Sequence, residues 1–194
     1  MAYGTKLNHA FANKAIIEKN AIAKAVALWL SEGNGFAGMF KKQQDSSALG
    51  KISDFSGADY SSSSFEESFA EMFLGQDLME NAPCFDTSCG KDFSHMFSGC
   101  FSLRAIPEYD LNSATNLKGM LDGCGNALTI GLRNIGASLD VSSCVKLPRE
   151  ELVKLIGRLK ESKEGNILRL GYPLLKKLDD EDIKQATKKG WIVC

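Results

Sequence analysis

The stretch Phe93-Ser-His-Met-Phe-Ser-Gly-Cys-Phe-Ser-Leu103 decides the reading, because its pattern returns at a fixed distance on both sides. Met72-Phe73, Met96-Phe97 and Met120-Leu121 stand 24 residues apart. Phe69, Phe93 and Leu117 precede them in register, Gly75, Gly99 and Gly123 follow, and Ala82, Ile106 and Ile130 follow further on. Cys100 matches Cys124, Pro83 matches Pro107, and Asp86 matches Asp110. Agreement at so many offsets over three units marks a repeat, and a repeat must be recognised before any local structure is assigned.

Each unit is too small to bury its apolar side alone, so the expected solution is a stack in which equivalent residues form ladders. The ladders are Phe/Phe/Leu, Met/Met/Met, Gly/Gly/Gly and Ala/Ile/Ile, with the glycines expected where the chain turns or backbones approach closely. Downstream, Leu139-Asp-Val141, Leu168-Arg-Leu170 and Trp191-Ile-Val193 predict three short strands. Between the first two, Pro148 opens a helix whose apolar face is Leu152, Leu155, Ile156 and Leu159 and which Gly165-Asn166 should stop. Between the second and third, the cluster Asp179, Asp180, Glu181 and Asp182 opens a helix, Lys184, Lys188 and Lys189 lie late in it, and Gly190 ends it. That order suits the helix dipole.

Upstream, Phe11, Ala15, Ile22, Ala25 and Trp29 mark one stripe of a helix over residues 7–31, a candidate oligomerisation or docking face or a cap for the stack. Gly33, Gly35 and Gly38 break it. The expected organisation is an N-terminal helical arm or cap over 1–40, a linker or degenerate first coil over 41–64, repeats over 65–140 and a C-terminal repeat-like cap over 141–194. Ile52 to Phe55 is the candidate for the decayed coil.

The 194 residues suffice for about one domain with an appended arm, and 44% apolar with 24% charged residues is ordinary for a folded chain. The net charge of −1 provides no overall field for a polyanion. Charge is divided unevenly: residues 1–31 hold four Lys and one Glu, 65–140 hold 4 basic and 11 acidic residues, and 141–194 hold 12 basic and 8 acidic. The repeats are therefore the acidic part, which suits neither DNA nor RNA. The longest uninterrupted apolar run, Ala25 to Leu30, is far short of a membrane span, and Lys14, Glu18, Lys19 and Lys24 spoil any secretory leader. The six cysteines are accordingly expected to be reduced, buried thiols.

Chemistry is sparsely provided. His95 with Cys100 or Cys124 is the obvious trial set for a thiol nucleophile, but both cysteines hold a ladder position that wants a small apolar side chain. Cys84 and Cys89 have no second closely spaced pair to complete a zinc site. No phosphate loop or nucleophile elbow is present, and Glu66-Glu67 and the 179–182 cluster read as helix starts. Catalytic residues, metal and cofactor are all expected to be absent.

The stretch from Phe93 to Leu103, with Ile106-Pro107, Tyr109-Asp110 and Asn112-Ser-Ala-Thr-Asn-Leu117, resembles the BspA-type leucine-rich repeat of bacterial surface proteins. Its period of 24 falls within the range of about 20–29 for such repeats. Leu139-Asp-Val-Ser-Ser-Cys144, Leu168-Arg-Leu-Gly171 and Leu178-Asp-Asp-Glu-Asp-Ile183 through Lys189-Gly-Trp191 are similar to the closing segment of repeat proteins of gut bacteria and their phages. The first unit lacks Cys after Gly75, and the third departs from the pattern after Gly123-Cys124.

The resemblance implies an α/β fold: a leucine-rich-repeat-like solenoid with an N-terminal helix and a C-terminal strand-helix-strand cap. It also implies recognition without catalysis. The expectation is a phage virion component (fibre, tail or decoration protein) assembled in the host cytoplasm. It would contact other virion proteins or its own copies through the N-terminal helix, and a host cell-surface protein or glycan through the repeats. A BspA-like adhesion or interaction protein of the bacterial cytoplasm or surface is the alternative.

Overall fold

Each unit begins by bending its own backbone onto a short polar side chain. In the computed structural model, which describes residues 37, 38, 41, 68–84 and 86–194, Asp92 Oδ1 accepts the Ser94 N–H at 2.8 Å and Asn116 Oδ1 accepts the Lys118 N–H at 3.1 Å. Ser68 Oγ does the same for Ala70 at 3.3 Å, and Asp140 Oδ1 for Ser142 at 2.9 Å. Such side-chain turns are what Asp, Asn and Ser favour. Two left-handed residues then curl each unit: Glu71, His95 and Gly119 with φ of 55°, 54° and 63°, followed by Gly75, Gly99 and Gly123 with φ of 77°, 76° and 79°.

The units lie side by side in parallel. Ser68 bridges Asp92, and Asp92 bridges Asn116. From Phe69, Glu71, Phe73 and Gly75 the N–H groups donate to the carbonyls of Asp92, Ser94, Met96 and Ser98 at 2.7–2.9 Å. Phe93, His95, Phe97 and Gly99 repeat this onto Asn116, Lys118, Met120 and Asp122 at 2.8–2.9 Å. Equivalent rings consequently stack, Phe69 on Phe93 at 5.0 Å and Phe73 on Phe97 at 5.5 Å.

Gly38 joins the same pattern from upstream. Its N–H donates to the Ala70 carbonyl at 2.8 Å, its φ is 63°, and the Lys41 N–H returns to its carbonyl at 3.1 Å. Leu74 and Ser98 return in the same way to Glu71 and His95.

Strands β1 (Ala105–Asp110) and β2 (Thr129–Arg133) form a two-stranded parallel sheet, and a bridge from Asn81 to Ala105 carries the pairing one unit back. The register pairs Ile106 with Ile130 but Tyr109 with Leu132, so β1 bulges by one residue. Gly131 is required there, because a Cβ at this position would collide with the Pro107 backbone. The bulge turns Tyr109 inward, fully buried with its hydroxyl donating to the Pro83 carbonyl.

The C-terminal part contains β3 (Leu139–Asp140), α1 (Arg149–Gly157), β4 (Ile167–Arg169), α2 (Gly171–Leu175), α3 (Asp180–Lys188) and β5 (Ile192–Val193). The strands form a second parallel sheet in the order β3-β4-β5. The α1 helix buries Leu152, Leu155 and Ile156 and ends at Gly157, not at Gly165-Asn166 as the sequence predicts. Strand-like pairing wins over helix propagation: Leu159 bridges Ile135, and the Lys160 N–H donates to the Ile135 carbonyl at 2.8 Å. Pro148 is the N-cap, one residue earlier than expected, and the five-residue α2 carries no advance signal in the sequence reading.

The α3 start is a complete capping box, with Asp179 accepting from the backbone of Asp182 and Asp182 accepting from that of Asp179. The Lys189 ammonium donates to the carbonyls of Ile156, Gly157 and Leu159 at 3.1, 2.7 and 2.9 Å, which satisfies the end of α1. One apolar cluster runs from Phe69 to Trp191 through both sheets. No helix among the described residues is long and apolar enough to cross a membrane. The stripe Phe11, Ala15, Ile22, Ala25 and Trp29, His9, Ile52 to Phe55, Glu66-Glu67 and most of the 41–64 segment lie outside the described residues.

Candidate functional site

The ladder residues fall in two groups. Phe69, Met72, Phe73, Phe93, Met96, Phe97, Cys100, Leu117, Met120, Leu121 and Cys124 are all buried in the common cluster. Gly75, Gly99 and Gly123 occupy the turns, and their backbones stack so closely that a Cβ on Gly99 would lie 3.4 Å from the Gly75 Cα.

The buried thiols are locked. Cys100 Sγ donates to the Phe73 carbonyl and Cys124 Sγ to the Phe97 carbonyl, each at 3.2 Å. Burial, reinforced by the neighbouring thiol of Cys124, holds the Cys100 pKa far above the ordinary range. Burial pushes Cys124 up to about 12, and the same cause raises Cys144. A thiol that stays protonated, has no exposure and donates to a carbonyl lacks the thiolate needed for attack. His95 is turned instead toward the next unit, where the absence of a side chain at Gly119 makes room for its imidazole.

The other thiols correct the sequence expectation: Cys84, Cys89 and Cys194 are exposed. Cys84 and Cys89 belong to the connection between the bridged residues Asn81 and Asp92, and Cys194 follows the edge strand β5, so none holds a ladder position. Among the described residues no group of three or more His, Cys, Asp or Glu side chains is placed to hold a metal ion.

Two surface features remain. The first is a row of exposed apolar side chains, Leu78, Phe101, Leu128 and Val145, on segments connected across units: the Ser102 N–H donates to the Asp77 carbonyl at 3.1 Å, and Asn126 Nδ2 to the Phe101 carbonyl at 2.6 Å.

The second is a groove of about 660 Å³ between residues 114–119 and 136–140, lined also by Glu164, Asn166, Ile167 and Arg169. Its walls carry Lys118, Asp122 and Asp140, and Arg169 lies 3.7 Å from Asp140. The groove exists because the unit ladder stops here. Leu117, Gly119, Leu121 and Gly123 hold the positions of Phe93, His95, Phe97 and Gly99, yet among the described residues their N–H groups meet no acceptor, while the intervening Lys118, Met120 and Asp122 N–H groups are all taken locally; of the four, Leu117 and Gly119 line the groove.

The sequence reading did not locate this groove. Its only trace in the sequence is the change of spacing after Cys124, from 24 residues to the 29 that separate Leu139 from Leu168. The sequence gives Gly38 only as a helix breaker, although Phe36-Ala-Gly-Met-Phe40 matches Phe69-Ala-Glu-Met-Phe73 at a distance of 33 residues. Comparison with family models, curated proteins and solved structures finds no match for this chain.

Proposed function

We propose that this chain is a leucine-rich-repeat-like solenoid that recognises other molecules and does no chemistry. In this reading it is a component of a phage virion, a fibre, tail or decoration protein. The observation that carries the absence of chemistry is the state of the ladder thiols Cys100 and Cys124, which are buried and hydrogen-bonded to carbonyls one unit away. What remains accessible is surface: the apolar row from Leu78 to Val145 and the groove beside Lys118 and Asp140. The virion assignment rests on the resemblance carried by Phe93 to Leu103 and by the segment from Leu139 to Trp191.

The N-terminal segment with Phe11, Ala15, Ile22, Ala25 and Trp29 would dock the protein on the particle or on its own copies. Many copies then matter more than one tight site, since multivalent display raises avidity by about 10²–10⁴. Quantitative mass spectrometry of purified phage particles tests the assignment. The expected result is this chain in several copies per particle, and its absence from particles overturns the virion reading in favour of a bacterial adhesion or interaction protein.

A further inference from the structure

Leu78, Phe101, Leu128 and Val145 keep 58, 59, 43 and 43% of their surface exposed in the single chain. Exposed apolar side chains are ordinary when scattered and mark an interaction site when they run on from one to the next. These run on. The Ser102 N–H donates to the Asp77 carbonyl at 3.1 Å and the Leu128 N–H to the Arg104 carbonyl at 2.8 Å. The Phe101 ring lies over Gly123, where a Cβ would come within 3.1 Å of its Cε1, and Lys146 Nζ reaches Asn126 Oδ1 at 2.7 Å. Segments 77–80, 101–104, 122–128 and 145–147 therefore follow one another across four units. At about 5 Å per unit the row extends about 15 Å along the stack.

The sequence carries an apolar complement of sufficient length. Phe11, Ala15, Ile22, Ala25 and Trp29 fall on one stripe at helical spacing, and at 1.5 Å per residue such a stripe measures about 21 Å from Ala15 to Trp29. Charge agrees. Residues 1–31 hold four Lys and one Glu, whereas the first three segments of the row carry Asp77, Glu80 and Asp122 against Arg104 alone. Lys146, in the fourth, is held by Asn126. Because the row is exposed in the single chain, its cover comes from another molecule.

We propose that the row from Leu78 to Val145 is the docking surface for residues 7–31 of a second copy of this chain. The contact is of the kind in which an amphipathic segment lays its apolar stripe on an apolar surface. Two copies that exchange segments cover both rows, which closes the assembly as a dimer. The inference rests on the reading of the N-terminal segment as a docking element and is independent of a place in a virion.

The test is sedimentation equilibrium of the full chain, which is expected at twice the monomer mass. Phe101→Asp places a charge in the row and Trp29→Asp one in the stripe. Each is expected to weaken the dimer by about tenfold or more, with the hydrogen-exchange protection of the Phe93 and Phe97 amides unchanged. Mixed in equal amounts, the two variants are expected to recover a dimer of one copy of each, since the first keeps an intact segment and the second an intact row.

Three results overturn the proposal. One is a monomeric wild type, including one whose row is covered by its own segment. Another is a dimer that Phe101→Asp leaves unchanged. The third is a pair of variants that stay apart on mixing, which points to contact between like surfaces. None of them alters the particle composition that tests the virion assignment.

Discussion

Residues 68–133 and residues 134–194 solve the same packing problem by different means. In the first region a contact is made once and copied: Phe69 on Phe93, Phe73 on Phe97, Cys100 on the Phe73 carbonyl and Cys124 on the Phe97 carbonyl. In the second, the strand pairing is still repeated, but the side-chain hydrogen bonds are each made once. Trp191 Nε1 donates to the Lys160 carbonyl at 2.7 Å, Lys177 reaches the carbonyls of Val145 and Leu147, and Arg149 clasps both Asp179 and Asp182. The copied region relies on shape and apolar burial, so losing one member damages the units on both sides. The other shares the apolar cluster but adds polar contacts at helix ends, and damage to those contacts should stay local.

Phe97→Ala gives the largest expected effect. The ring lies between Phe73 at 5.5 Å and Tyr109 at 6.1 Å with no exposure, so its removal should cost about 3–5 kcal/mol by chemical denaturation. A cycle with Phe73→Ala should be non-additive by about 0.5–1.5 kcal/mol, and additivity would break the picture of coupled units.

Alkaline pH probes the locked thiols. Burial raises Cys100, Cys124 and Cys144 in the folded state above the ordinary thiol value of about 9.0, so their contribution is complete below that pH and declines as pH rises toward the folded values. Between pH 9 and 10 the loss should be on the order of 1 kcal/mol per thiol, and replacing all three by Ala should flatten the profile.

Smaller effects are expected in the C-terminal region. Arg149→Ala leaves the buried Asp182 carboxylate without its 2.6 Å partner and should cost about 1–3 kcal/mol, measured as a shift of the urea midpoint. Asp179→Ala removes the α3 N-cap and should cost about 1 kcal/mol, with added hydrogen exchange confined to the first turn of that helix. Exchange spreading into residues 93–124 would show that the two regions are not separable.

The difference between the regions also explains what could be read from sequence. The spacing of Met72, Met96 and Met120 was readable because copying places identical residues at identical intervals. The α3 start was readable because a capping box is a local pattern over Asp179 to Asp182. The left-handed residues Glu71 and His95 were hidden, since neither is glycine and only alignment with Gly119 shows that they share a position. Gly38 was hidden by its irregular distance from Glu71. The end of α1 was misplaced because the pairing of Leu159 with Ile135 is a long-range event that no local stop signal reports. The groove was invisible for the same reason: it depends on how residues 114–119 and 136–140 lie against each other, which no local pattern reports.

The parallel stacking of the units is the claim on which all of this depends, and NMR scalar couplings across hydrogen bonds test it most directly. The account predicts couplings from the Glu71 amide nitrogen to the Ser94 carbonyl carbon and from that of His95 to Lys118, with the flanking pairs following the same 23-residue offset. Couplings from these amides to carbonyls at any other offset, or none at all in a folded sample, would contradict it.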